Sequence, residues 1–248
     1  MFKPKTNRIQ ELAEKYPDRI EELERIFDKT TNVYIDFANV IRWQDKLKWH
    51  IDLKRLKQFL DSFRNIEKIK FYNGKLEGDE KSLMILEEAE KCGYIVKTKP
   101  VKIMQLSIDV SSMPLNSPEI LKNFIRAPLL KKLKVETIEF LNNQLKELNQ
   151  QGILFVQDLK CNFDVEIGRD MLIDYEKNKI ENFVLWSGDS DFADPINQLL
   201  EDDKKVVLFV TARRVASELN ELQEKGLFIF DIQKIRNFIY WKREILPE

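Results

Sequence analysis

The feature that most constrains the fold is a regular alternation of short hydrophobic strands with amphipathic helical segments. In the first part of the chain the pattern predicts strands near 32–37, 67–72 and 94–99, with helices near 52–64 and 79–91. After a break it predicts strands near 153–158, 182–187, 205–210 and 227–230, with helices beginning near 164, 191, 214 and 232. Such alternation is typical of parallel strands joined by crossover helices, so we expect an α/β fold with a central, mainly parallel sheet.

Two further segments lie outside this alternation. Residues 7–29 have the apolar spacing of amphipathic helices interrupted at Pro17, and residues 101–155 combine a strand at 103–110, a Ser/Pro/Asn-rich loop and a helix at 135–149 that Gly152 would end. We therefore predict a helical appendage at 1–30, one core domain at 31–236 with an insertion at about 101–155, and the end of a C-terminal helix at 237–248.

Composition excludes several classes of site. The chain has no apolar run long enough to cross a bilayer, and its charged start lacks a signal-peptide apolar region, so we expect a cytoplasmic protein with no membrane partner. Cys92 and Cys161 lack metal-ligand spacing, and His50 is the single histidine, which argues against zinc sites and Ser-His-Asp triads. The net charge of -1 argues against a globally basic nucleic-acid binder but allows local basic patches.

Two predicted strands end in acidic residues. Asp36 closes the first strand, and Asn39 follows it in what we expect to be a turn. Asp189 and Asp191 follow the strand at 182–187 through the small residues Ser187 and Gly188. Each acid has an alternative structural role, since Asp36 could cap the next helix and the later pair could complement a helix dipole.

A third acidic segment begins a helix at Asp164, with Asp170 further along the same helix. Six residues of helix rotate Asp170 by about 240° from Asp164, so we expect Asp170 to support the site, to pair with Arg169 or Lys160, or to face solvent. If Asp36, Asp164, Asp189 and Asp191 converge, like charges about 4 Å apart repel by about 4 kcal/mol at an effective dielectric of about 20. An oxygen-rich set of this kind favours Mg²⁺ or Mn²⁺ over zinc.

Together these motifs resemble the NYN domain family of the PIN-like nuclease superfamily. The resemblance rests on Asp36-x-x-Asn39, on Lys160 leading into Asp164 with Asp170 beyond it, and on the run Ser187-Gly188-Asp189-Ser190-Asp191-Phe192. It covers about 31–100 and 153–236. The chain departs from the family between Lys160 and Asp164, where it has one residue more than the family pattern and lacks that pattern's glycine.

The resemblance implies a Rossmann-like, PIN-like three-layer fold whose first and fourth core strands are adjacent. It also implies metal-dependent hydrolysis of RNA phosphodiesters, with Mg²⁺ or Mn²⁺ as cofactor. By the family pattern the metal ligands would be Asp36, Asp164 and Asp189, and the supporting catalytic residues would be Asp191, Asn39 and Asp170.

An RNA partner requires positive charge beside the acidic residues. The segment 121–135 contains five cations and no acid, and Arg213 and Arg214 follow the strand at 205–210. The predicted RNA contacts are Lys160, Arg169, Arg213, Arg214, Arg126, Lys131, Lys132 and Ser187. A basic run can equally be a solvated surface, and the sequence is compatible with a homo-oligomer.

Two other functions remain open from the sequence. A PIN-like fold can bind RNA or a protein without useful turnover, and the altered Lys160–Asp164 run allows this alternative. A haloacid dehalogenase-type phosphatase would need a second Asp two residues after Asp36, where the chain has Ala38.

Overall fold

The fold was analysed in a computed structural model. The structure describes residues 1–151, 154–211 and 215–240, and for residues 45–46, 103–108 and 154–160 it describes the backbone alone. The described residues fall into two compact units: the first consists of those in Met1–Val101 and those from Cys161 onward, and the second of those in Lys102–Lys160. No helix in the described part of the chain is both long and apolar enough to span a bilayer.

The first unit contains six strands and most of the helices. In chain order its elements are α1 (Asn7–Lys15), α2 (Pro17–Ile26), β1 (Thr31–Asp36), α3 (Phe37–Leu47), α4 (Leu53–Leu60), β2 (Ile66–Lys75), α5 (Glu80–Cys92) and β3 (Ile95–Pro100).

The second unit and the return to the first follow. The second unit holds β4 (Lys102–Ile108), α6 (Ala127–Leu130), α7 (Val135–Gln151) and β5 (Leu154–Lys160). The first unit then continues with α8 (Asp164–Asn178), β6 (Asn182–Trp186), α9 (Ala193–Glu201), β7 (Lys205–Val210), α10 (Ser217–Glu221), β8 (Phe228–Asp231) and α11 (Arg236–Ile239).

The central sheet is parallel throughout and has the order β3-β2-β1-β6-β7-β8. Helices flank it in a three-layer α/β arrangement, which confirms the predicted fold class. The predicted adjacency of the first and fourth core strands is also present, because β1 pairs with β6 in a register that sets Ile35 beside Trp186. From β1 the chain adds strands first on one side of the sheet and then, from β6, on the other. Open α/β sheets bind ligands beside the carboxyl ends of the two strands where this change occurs.

Burial on both faces explains why these segments form central strands. Every residue of β1 and β6 is buried, as expected for strands covered by helices on each side. Ile9, Leu23 and Ile26 of the two N-terminal helices are buried in the same hydrophobic core, and Phe27 contacts Phe63 with ring centroids 4.8 Å apart.

The structure corrects two local predictions. The strand predicted near 153–158 forms as β5, but it pairs antiparallel with β4 in a separate two-stranded sheet instead of joining the parallel sheet. The turn predicted after Asp36 is the first part of α3, in which Asp36 accepts a hydrogen bond from the Asn39 N–H as the N-cap. Of the C-terminal helix end predicted at 237–248, the structure describes residues 237–240, where α11 ends at Ile239; residues 241–248, Gly152 and residues 212–214 lie outside the described residues.

Candidate functional site at the carboxyl ends of β1 and β6

Asp36 occupies the centre of a hydrogen-bonded cluster where β1 and β6 end. Its side chain is 4% exposed. The Asn39 amide donates from Nδ2 to Asp36 Oδ2 and also to Ser187 Oγ at 3.1 Å, while the Ser187 hydroxyl donates to Asp36 Oδ2 at 3.3 Å. Burial raises the pKa of Asp36 from its usual value, whereas the hydrogen bonds from Asn39 and Ser187 oppose that rise. These two donors therefore help to keep a buried carboxyl ionised.

Asp189 comes directly after the Ser187-Gly188 turn at the end of β6. Its N–H donates to Ser187 Oγ at 3.4 Å, and its Oδ1 accepts the N–H of Asp191 at 3.5 Å, which begins the 3-10 turn Ser190–Phe192 ahead of α9. The same serine thus contacts the segments carrying Asp36 and Asp189. The carboxylates of Asp36 and Asp189 are close enough that Asp189 contributes to the raised pKa of Asp36.

Asp164 is the first residue of α8, and one of its oxygens lacks any partner. The Oδ2 atom is buried and makes no hydrogen bond in the structure. Burial raises the pKa of Asp164 to about 7, and the nearby carboxylates of Asp189 and Asp191 contribute to the rise. Asp36 also raises the pKa of this group, so the third acidic segment faces the first two. A buried, unpartnered carboxylate oxygen is unfavourable unless a cation or proton joins it.

The donor set fits a divalent metal ion. The converging side chains are carboxylates supported by an amide and a hydroxyl, and oxygen donors of this kind suit Mg²⁺ and Mn²⁺. The unpartnered Oδ2 of Asp164 is the observation that most directly favours a cation here. Within the residues whose side chains the structure describes, no three acidic, cysteine or histidine side chains already form a closed ligand set. The carboxylates are therefore close enough to perturb each other's pKa without being gathered around one point.

Asp170 does not reach this cluster directly and belongs to a buried network between α8 and the sheet. The Tyr72 hydroxyl donates to its Oδ2 at 2.9 Å, Arg169 Nη2 lies 3.1 Å from its Oδ1, and Lys70 Nζ lies 3.8 Å away. Lys70 pairs more closely with Asp174, at 2.8 Å. Of the roles expected from the sequence, pairing with Arg169 and support from within the protein fit these contacts, and exposure to solvent is wrong because Asp170 is 6% exposed.

An open cleft of about 410 Å³ adjoins the acidic cluster. It is lined by Asn39, Arg42, Trp43, Gly188, Asp189, Ser190, Val215 and Ala216. Sequence reasoning missed Arg42 and Trp43 because it placed Asn39 in a turn and assigned no helix between Asn39 and residue 52. A signal was present, since Arg42 comes three residues after Asn39 and thus one helical turn along the same face.

The predicted RNA contacts have different outcomes. Ser187 is fully buried and bonded to Asp36, so the prediction that it touches RNA is wrong, and its position supports the carboxylate instead. Arg169 is exposed and pairs with Asp170. Arg126, Lys131 and Lys132 are exposed on the second unit. Arg213, Arg214 and the side chain of Lys160 lie outside the described residues.

Comparison with known proteins agrees with the resemblance read from the motifs. The family model for the NYN domain, a PIN-like nuclease family, matches residues 119–235, which confirms the predicted resemblance over that part of the chain; Asp36 and Asn39 precede the matched residues. A solved structure of a protein of unknown function from Vibrio parahaemolyticus has a similar fold, with 15% sequence identity, a TM-score of 0.50, and coverage of 85% of this chain and 96% of that chain. The chain has no match among curated proteins.

Proposed function

From the NYN domain match over residues 119–235, we propose that this protein is a metal-dependent ribonuclease that hydrolyses RNA phosphodiester bonds. The observation that carries the proposal is the unpartnered, buried Oδ2 of Asp164, with Asp36 and Asp189 near enough to perturb its pKa. A metal-dependent phosphodiesterase of this kind needs no histidine, in keeping with a chain whose single histidine, His50, is an exposed residue outside this cluster.

In this mechanism Asp36, Asp164 and Asp189 would hold one or two divalent ions. Bound Mg²⁺ or Mn²⁺ would supply an activated water and neutralise charge developing on the phosphate oxygens. Asn39 and Ser187 orient the Asp36 carboxylate through their hydrogen bonds and favour its ionised form. Asp191, exposed at the start of the 3-10 turn, adds a further acceptor at the mouth of the site.

Asp170 acts as a positioning residue in this proposal. Its bond to Tyr72 and the pairing of Lys70 with Asp174 connect α8 to β2, and α8 begins at Asp164. Fixing the helix in this way fixes the direction from which Asp164 approaches the other two carboxylates. This is how outer groups commonly orient metal ligands.

RNA would be bound in part by the exposed cations of the second unit. Among the residues whose side chains the structure describes, Arg126, Lys131 and Lys132 form no ion pair with an acid, whereas Lys122 pairs with Glu119. We propose that this basic segment, together with Arg213 and Arg214, contributes salt-dependent affinity for the phosphate backbone.

Cleavage of RNA by matched variants tests the proposal. The purified protein is incubated with total RNA in Mn²⁺, in Mg²⁺ and in a chelator, beside Asp189→Asn and the control Asp194→Asn. Asp194 is exposed in the first turn of α9 and undergoes the same change of charge outside the cluster. We expect metal-dependent cleavage by the wild type and by Asp194→Asn, and background activity from Asp189→Asn.

Two results would contradict the proposal. Equal cleavage by Asp189→Asn and the wild type would remove Asp189 from the site. Absence of cleavage with any metal, combined with a higher melting temperature in Mn²⁺, would favour a module that binds metal and RNA without turnover, since a ligand that binds only the native state stabilises it.

A further inference from the structure

The cleft beside the acidic cluster contains a cation that the proposed metal site does not use. Arg42 lies on α3, is exposed, and lines the cleft together with Asn39 and Asp189. In the part of the chain whose side chains are described, Arg42 makes no hydrogen bond or ion pair. Most other described arginines of the first unit have a polar or charged partner: Arg8 donates to the carbonyl of Phe238, and Arg169 pairs with Asp170.

An arginine that lies near carboxylates without pairing with them can bind an anion from solution. Arg42 shares its cleft with Asp189 and yet no ion pair joins them, so its guanidinium remains available to an external anion. Guanidinium groups bind phosphate through two parallel hydrogen bonds, which makes arginine the preferred residue for planar recognition of phosphate. Because Arg42 is one helical turn from Asn39, which bonds to Asp36, an anion held by Arg42 lies beside the proposed metal site.

The shape and lining of the cleft suit part of a nucleotide. Its volume of about 410 Å³ is within the range of clefts that hold small organic ligands. Trp43, Val215 and Ala216 give it apolar walls, while Asn39 and Ser190 provide polar groups. Trp43 is only 4% exposed, so it forms a wall of the cleft and is not an open platform for stacking a base.

We propose that this cleft binds the nucleotide adjacent to the scissile phosphate, with Arg42 holding that nucleotide's phosphate. The inference rests on the proposed ribonuclease function and specifies the substrate as an RNA strand that continues past the cleavage point. Arg42 acts as a substrate-binding residue, and the acidic cluster retains the chemistry.

Salt-dependent binding of a single-stranded RNA oligonucleotide tests this subsite. Affinity is measured by fluorescence anisotropy over a series of salt concentrations in Ca²⁺, with the integrity of the RNA checked afterwards on a gel. The variants are Arg42→Gln, Arg42→Lys and the control Arg25→Gln. Arg25 is exposed in the last turn of α2. The carbonyls of this turn accept hydrogen bonds from the first residues of β6 and β7, so Arg25 lies at the edge of the sheet opposite the cleft. Arg25→Gln therefore makes the same change of charge far from the cleft.

For Arg42→Gln we expect about fivefold weaker binding at low salt and a slope of log Kd against log salt that is smaller by about 0.7, the value for one phosphate contact on a single strand. For Arg42→Lys we expect the wild-type slope with intermediate affinity, because the charge remains while the two-pronged geometry is lost. Arg25→Gln should match the wild type in both quantities.

The outcomes separate this inference from the proposed function because binding is measured without turnover. Wild-type protein that binds RNA with the expected Arg42 dependence but cleaves none would overturn the ribonuclease and keep the subsite. Equal affinity and slope for Arg42→Gln and the wild type, or no measurable RNA binding by the wild type, would overturn the subsite whether or not RNA is cleaved.

Discussion

Replacing Asp164 by Asn should make the metal-free protein more stable at neutral and alkaline pH. Asp164 has a buried oxygen without a partner, and burial together with neighbouring carboxylates raises its pKa from 3.8 to about 7. A carboxyl whose pKa is higher in the folded than in the unfolded state binds its proton more tightly when folded. The contribution of Asp164 to the free energy of unfolding is therefore most favourable below the pKa that the group has in the unfolded chain, and it is lost as the pH rises from about 4 to about 7.

The size of the effect follows from the difference between the folded and the unfolded pKa of Asp164. If that whole difference acted on stability, it would correspond to about 4 kcal/mol. Asp164 is only half-buried, so screening by water reduces the expected penalty to about 1–2 kcal/mol. The charge at the first turn of α8 also gains about 0.5 kcal/mol from the helix dipole, which Asn would forgo. The net prediction is a variant more stable than the wild type by about 1 kcal/mol at about pH 8, with almost no difference at about pH 4.

Urea unfolding at those two pH values, in chelator and in Mn²⁺, measures this difference. The control is Glu176→Gln, since Glu176 is exposed on the same helix and its neutralisation leaves the acidic cluster intact. In Mn²⁺ the order should reverse, because the wild type gains binding energy that Asp164→Asn lacks. A variant equal to or less stable than the wild type at about pH 8 in chelator would refute the electrostatic reasoning.

Two further predictions concern the groups around the cluster. Asn39→Leu removes the side-chain amide donor, one of the groups that oppose the rise in the pKa of Asp36, so the acid limb of the pH–rate profile for RNA cleavage should move to higher pH, and an unchanged limb would contradict that role. Lys70→Met leaves Asp174 without its cation in a buried site and should lower the free energy of unfolding by about 3–5 kcal/mol, measured by urea unfolding. Addition of Asp174→Asn should recover part of the loss, and a single variant as stable as the wild type would show that the pair contributes nothing.

The hydrophobic pattern was sufficient to predict the central parallel sheet, whereas the adjacency of the strands that end at Asp36 and Asp189 was implied by the family resemblance. Hydrophobic runs at regular spacing fix strands and crossover helices, and right-handed parallel connections leave few arrangements for them. Asp36 and Asp189 follow adjacent strands in the structure because β1 and β6 are neighbours. The metal-binding and catalytic roles of these residues stay predictions until activity is measured.

The sequence was less informative where structure depends on distant partners. β5 has the same hydrophobic character as a core strand, and only its pairing with β4 shows that it belongs elsewhere. The contact of Asp170 with Tyr72 joins residues 98 positions apart, which no local pattern reveals. Helix α3 was missed for a different reason. The role of Asp36 as a helix cap was kept only as an alternative, and no helix was assigned after it, although Phe37, Val40 and Trp43 have helical spacing.

The pairing of the first strand with the sixth also has a consequence for protein synthesis. Ser187, which joins the two halves of the acidic cluster, is 151 residues from Asp36 along the chain. During translation Asp36 leaves the ribosome long before its counterpart exists, and a lone carboxylate holds a divalent ion poorly. A nascent chain therefore cannot assemble the acidic cluster, and with it the proposed metal site, until β6 has emerged and inserted next to β1.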